Sequence, residues 1–172
     1  MNYSEEALKT ATNPEKVSLS GMDVLRLQTA FCSFQELSSD VKKLKEKIFY
    51  GNKFIDSKED TSPVMFTTED PRVIDSIHAC LGVITESFEV LESVLSKNGQ
   101  FYLPESLSAI DLVEVIKERG DLLWYENLLN RAFGTTEDQV KEANIKKLRK
   151  RYGGDKFDSK KAIAKEDNVR GS

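Results

Sequence analysis

Two pairs of acidic residues have a spacing that could do chemistry. Glu86 and Glu89 lie in Thr85-Glu86-Ser87-Phe88-Glu89, and Glu118 and Asp121 lie in Glu118-Arg119-Gly120-Asp121. Each pair is spaced i, i+3, so on a helix both carboxylates share one face, one turn apart. Two such faces brought together concentrate like charge, which does not stay ionised without compensation. A divalent cation is the natural compensation. The expected chemistry is therefore an oxygen-ligand site for Mg²⁺, with Mn²⁺ as a substitute, built from two helices. For any one acid among 29, a solvated helix face is the simpler reading. The setting argues otherwise. Cys80, Val83, Val90 and Val94 flank the first pair, and Asp121 runs directly into Leu122-Leu123-Trp124-Tyr125. Acids on helices with little polar surface need partners. Gly120 costs about 1 kcal/mol mid-helix relative to Ala and is useful where a helix or ligand comes close.

Composition removes most alternatives. His78 is the one histidine and Cys32 and Cys80 are the two cysteines, too few for a usual zinc site within one chain. A Ser-His-Asp triad would have to use His78, and no G-x-S-x-G accompanies it. There is no Walker loop and no G-x-G-x-x-G. A net charge of −4 argues against a nucleic-acid coat, which needs a concentrated basic surface. No apolar run is long enough to span a membrane. The polar, acidic stretch Met1 to Lys9 does not read as a signal peptide. Both cysteines sit in apolar surroundings and are expected to be buried thiols, which suits a reducing, cytoplasmic setting.

The elements that must position the acids read as all-helical. A short helix is expected over 3–11, ending before Asn13-Pro14, and a second over 22–49, closed by Tyr50-Gly51-Asn52. Residues 52–70 read as a polar surface loop. Thr68 and Pro71 open the third helix. Ile74, Ile77, Leu81, Ile84, Phe88, Leu91 and Leu95 predict its buried stripe, and Asn98-Gly99 its end. Ser108 with Asp111 resembles a capping box for a fourth helix over 109–133, stopped by Gly134. Thr136 and Gln139 form the next box, and the fifth helix runs to Tyr152 and Gly153-Gly154. One helical domain is expected over 1–157, with a charged, solvated tail over 158–172. The lysines Lys42, Lys43, Lys45 and Lys47 read as a solvated face, or as a phosphate contact across an interface. His78, beside the stripe, reads as structural.

The residues Gly82-Val83-Ile84-Thr85-Glu86-Ser87-Phe88-Glu89, followed by Glu118-Arg119-Gly120-Asp121-Leu122-Leu123-Trp124-Tyr125, resemble the MazG-like, all-α nucleoside triphosphate pyrophosphohydrolases. That family carries E-E-x-x-E, a spacer, then E-x-x-D, often running on into tryptophan and tyrosine. Glu142-Ala143-Asn144-Ile145-Lys146-Lys147-Leu148-Arg149-Lys150-Arg151-Tyr152 is similar to its E-A-N-x-x-K-L-x-x-R-Y helix. Asp155-Lys156-Phe157 with Lys161-Ala162-Ile163 looks like its tail, and Ala7-Leu8-Lys9-Thr10-Ala11 like its first helix. Similarity is good over 78–163 and poor over 12–70, which reads as an insertion or a rearranged hairpin. Thr85 stands where many members carry the first glutamate.

The resemblance implies an antiparallel helical bundle of the all-α pyrophosphohydrolase type. It implies Mg²⁺-dependent cleavage of a (deoxy)nucleoside triphosphate to the monophosphate and pyrophosphate, as in nucleotide-pool house-cleaning. Glu86, Glu89, Glu118 and Asp121 would hold the metal, with Glu89 or Glu118 alternatively orienting the water. Asn144, Lys147 and Arg151 share one helix face and would meet phosphate or sugar. Lys147 and Arg151 read equally as a solvated basic face, whereas a mid-helix asparagine calls for a partner. Trp124 and Tyr125 read first as core and second as base-stacking residues, and Trp124 and Tyr152 complete the expected substrate-binding set. The fourth helix is apolar on too many sides for its neighbours to cover, so a homodimer that completes the bundle is expected. The competing expectations are a helical interaction protein that kept the fold without catalysis, and a metal-dependent phosphohydrolase of another substrate class.

Overall fold

The computed structural model describes residues 3–11, 18–50, 70–153 and 157–164. Its elements are α1 (Tyr3–Leu8), α2 (Gly21–Phe49), α3 (Pro71–Leu95), β1 (Ser96–Lys97), β2 (Gln100–Phe101), a 3₁₀ turn (Leu107–Ala109), α4 (Leu112–Phe133), α5 (Glu137–Tyr152) and α6 (Ser159–Ala164). The all-α expectation holds, with one small hairpin as the only sheet among the described residues. The chain forms two compact units, Ser20–Gly134 and the pair of segments Met1–Leu19 and Thr135–Ser172.

In the larger unit α3 packs against both α2 and α4. Contacts pair Phe31 with Phe88 and Lys45 with Glu86 across α2 and α3, and Arg131 with Asp75 across α3 and α4. Residue numbers fall on one helix as they rise on the next, so the three helices run antiparallel. Capping sets their starts. Ser20 and Asp23 make a reciprocal box at α2. The Asp70 carboxylate accepts from Arg72 N, with Pro71 in the first turn of α3. Thr68, expected to cap that helix, lies outside the described residues, as does the rest of the 52–70 loop apart from Asp70. Asp111 is itself the cap of α4, accepting from Val113 N and Glu114 N, so helix four begins at Leu112 rather than at Ala109. The residues before it close as a 3₁₀ turn instead of a Ser108 capping box. Gly134 ends α4 in the left-handed region at φ 64°, and the Thr136–Gln139 box opens α5 as expected.

Asn98-Gly99 is not the helix stop. Helix α3 ends at Leu95, and Asn98 (φ 54°) with Gly99 (φ 74°) turns a two-residue hairpin in which Ser96 pairs with Phe101. The hairpin carries Phe101 onto Phe31, 5.6 Å between ring centroids. Phe31, Phe88 and Leu95 form the apolar end of the core, joined by Leu27, Leu91 and Val94. A second cluster of Ala79, Tyr125 and Leu128 joins α3 to α4.

The expected stripe on α3 is buried only in part. Phe88 and Leu95 are covered, Leu81 and Leu91 are half-covered, and Ile74, Ile77 and Ile84 are exposed. The closest approach falls on the small residues instead. A Cβ added at Gly82 would run into the Tyr125 ring, whereas one at Gly120 would meet nothing among the described residues. Gly82, not Gly120, is therefore the glycine that close packing requires. The same narrow seams leave Cys32 and Cys80 exposed, contrary to the buried thiols expected. Each lies one residue off a buried position, Phe31 and Ala79.

In the smaller unit α5 packs with α1 and α6. The expected solvated tail is helical over Ser159–Ala164, its start held by the Asp158 carboxylate, which accepts from Lys160 N and Lys161 N. Among the described residues no helix is long and apolar enough to cross a membrane.

Candidate functional site

Helices α3 and α4 bring three of the four expected acids together. Carboxylate oxygens of Glu86, Glu89 and Glu118 all lie within 4.8 Å of one another. Asp121 is not part of that group and is exposed on α4. Glu86 is buried, while Glu89 and Glu118 are half-buried, so the cluster runs from the helix seam toward solvent. The Glu118 carboxyl is pushed up to about 7, first by burial and then by Glu89, with which it shares a hydrogen bond, and by Glu114.

The α2 helix supplies two cations that the sequence reading assigned to a solvated face. Lys45 is buried at 5% exposure. Its Nζ donates to Glu86 Oε1 at 3.0 Å, to Thr85 Oγ1 at 3.0 Å and to the Tyr125 hydroxyl at 3.1 Å. It also lies 4.7 Å from the Tyr125 ring centroid. Burial alone would lower the Lys45 pKa, but the hydrogen bonds to Tyr125 and Glu86 outweigh it and hold the amine above its usual value. Lys42 donates to Glu89 Oε1 at 3.0 Å from a half-open position, and that bond raises its pKa.

Thr85, singled out in the sequence as the neutral residue beside Glu86, is fully buried. Its hydroxyl accepts from Lys45, and its single proton has Gly82 O at 2.9 Å and Glu86 Oε1 at 3.0 Å as acceptors. The network continues outward. Tyr125 and Tyr50 hydroxyls are 3.2 Å apart, and Tyr50 lies 3.1 Å from His78 Nε2. Burial, then the Tyr125 hydroxyl, pushes Tyr50 up to about 12. Burial and the Lys45 charge hold the His78 imidazole below its usual pKa. His78 also stacks on Phe49, 4.2 Å between centroids, which fits its expected structural role. No described buried side-chain nitrogen or oxygen in the protein is left without a hydrogen bond.

The aromatic expectations divide. Tyr125 is core, but Trp124 is 55% exposed and stands edge-on to Tyr125 at 4.8 Å. The remaining candidates belong to the smaller unit. Asn144 Oδ1 accepts from the Tyr3 hydroxyl at 3.3 Å, so its partner is a helix neighbour. Lys147 is exposed, Arg151 lies over the Tyr152 ring, and Tyr152 is buried. The sequence reading missed Lys45, and a signal was there. Phe31, Ser38 and Lys45, the buried positions of α2, are spaced by sevens, so Lys45 continues a line that Phe31 begins.

As a donor set, three carboxylates suit a hard divalent cation, although two of them already face a lysine. Comparison with protein-family models, with curated proteins and with solved structures finds no match to this chain.

Proposed function

We propose that the Glu86–Glu89–Glu118 cluster holds a divalent cation and that the protein is a nucleoside triphosphate pyrophosphohydrolase. The observation that carries the reading is the convergence of three carboxylates from two helices within 4.8 Å. The sequence resemblance to the MazG-like family supports the reaction class. A bound Mg²⁺ would neutralise phosphate charge and lower the pKa of a water for attack between the α and β phosphates. Glu89 and Glu118, on the open side, would ligate it and orient that water, and Glu86 would anchor the inner edge. Exposed Asp121, one turn beyond Glu118, would meet ligands from the solvent side. The open face of Trp124 would stack against a base. The roles of Asn144, Lys147, Arg151 and Tyr152 rest on the resemblance alone.

The reading includes a homodimer. Phe34, Leu37 and Ile84 are exposed along an apolar groove of about 360 Å³ between α2 and α3, and Leu112, Val113 and Ile116 are exposed on α4. A second copy of the chain is the expected cover.

A non-catalytic helical protein is the second reading, favoured by Thr85 and by the lysines on Glu86 and Glu89. The test is pyrophosphate release from a panel of canonical and modified nucleoside triphosphates, with Mg²⁺, with Mn²⁺ and with chelator, beside Glu89→Ala. Metal-dependent pyrophosphate that vanishes in the variant supports the proposal. Orthophosphate would indicate another phosphohydrolase, and no product from folded protein the non-catalytic reading.

A further inference from the structure

We infer that Lys45 is a resident cation of the carboxylate cluster, occupying the inner position beside Glu86 and Thr85, so that the cluster accepts a single divalent ion through its outer acids. The inference rests on the reading that the cluster binds a cation.

The geometry distinguishes the two lysines. An ammonium has three donors, and Lys45 directs all of them inward, to Glu86, Thr85 and Tyr125 at 3.0 to 3.1 Å. None remains for a phosphate, so Lys45 is not a substrate-binding lysine. Its surroundings are closed, with Lys45 at 5%, Thr85 at 0% and Glu86 at 7% exposure. A Mg²⁺ ion demands octahedral oxygen ligands and usually keeps several waters, which this closed position does not offer. Thr85 completes the case. A neutral hydroxyl there leaves one carboxylate facing one ammonium, so the inner position is balanced without a metal. Lys42 differs in each respect. Its side chain is 53% exposed and its hydrogen-bonded acid among the described residues is Glu89, so a divalent ion entering from solvent displaces it at little cost.

The consequence is a difference in stoichiometry, read by titrating the full chain with Mn²⁺ and counting bound ions. The wild type is expected to bind one ion at the cluster. Lys45→Met, which keeps an unbranched side chain as far as Cε and removes the charged Nζ, is expected to bind one more, or the same one at least tenfold tighter. Unchanged number and affinity in Lys45→Met, or two ions in the wild type, would overturn the inference. A wild type that binds no Mn²⁺ beside a Lys45→Met that does would remove the pyrophosphohydrolase reading and keep the role of Lys45. No binding by either would remove both. Should Lys45→Met not fold, the wild-type ammonium decides the matter by NMR. A Lys45 Nζ signal equally protected from exchange with chelator and with saturating Mg²⁺ supports a resident cation. Loss of protection on adding Mg²⁺ means the metal displaces Lys45, and the inference fails.

Discussion

Phe31 and Lys45 lie on one line of α2 and are both buried, yet the two ends of that line are held by different physics. Phe31 meets Phe88 and Phe101 with ring centroids 5.5 and 5.6 Å away. Contacts of that kind are non-directional, and burying such a side chain contributes roughly 1.5–3 kcal/mol. Lys45 meets three oxygens at hydrogen-bond distance and one carboxylate charge. There, removing two charges from water offsets most of their attraction, so the intact pair adds little net stability. The apolar end therefore holds the helices together, while the polar end is costly to break and contributes little when whole. The polar end is also where the three acids converge.

The comparison can be broken most severely at Lys45. In chelator, Lys45→Met should lose about 3–5 kcal/mol in denaturant unfolding, because Glu86 is left buried without its cation. The double variant Lys45→Met/Glu86→Leu should recover most of that loss; if it does not, the pair is a net stabiliser and the contrast between the two ends fails. Gly82→Ala should cost about 1–3 kcal/mol, because its methyl overlaps the Tyr125 ring and must displace it. That displacement should also disturb the Tyr125–Lys45 hydrogen bond, visible as a shift of the Lys45 ammonium signal. The last effect is a pH dependence at Glu118, whose half-buried carboxyl is partly screened by solvent. Burial and the neighbouring Glu89 push its carboxyl up to about 7, above the ordinary carboxylate range. A group raised in this way stabilises the fold at low pH, and the contribution is lost as pH rises through about 7. Glu118→Gln lacks that loss, so its Tm relative to wild type should climb between about pH 5 and pH 8. A flat difference would mean that Glu118 titrates normally.

The long-range logic of the site was legible, and its inner half was not. Spacing alone put Glu86 with Glu89 on one helix face, and apolar flanks marked them as acids in need of a partner. The partner itself lies on α2, in the part of the chain whose pattern is weakest. Lys45 sits among Lys42, Lys43 and Lys47, and a run of lysines reads as a solvated face unless the seven-residue line from Phe31 is followed. Asp121 was expected with the others because i, i+3 spacing places two residues on one face, but convergence also depends on where the facing helix ends and tilts. The buried isoleucine stripe failed for a related reason. Hydrophobic period predicts a face, whereas Gly82 and Ala79 decide which part of that face another helix can reach. Asn98-Gly99 is a hairpin signal that reads as a helix stop, because two-residue strands leave no alternating pattern.

The central claim is that the polar end of the seam, and not the apolar end, is a divalent-cation site. Paramagnetic broadening by substoichiometric Mn²⁺ in an amide NMR spectrum tests it directly. Lys45 and Phe31 are separated by about 21 Å along α2 at 1.5 Å per residue, enough to resolve the two ends. The account predicts that amides around Glu86, Glu89, Glu118 and Lys42 broaden first, that those around Phe31 and Phe101 do not, and that Glu89→Ala abolishes the effect. Broadening spread over exposed acids elsewhere, or none at the cluster, would contradict it.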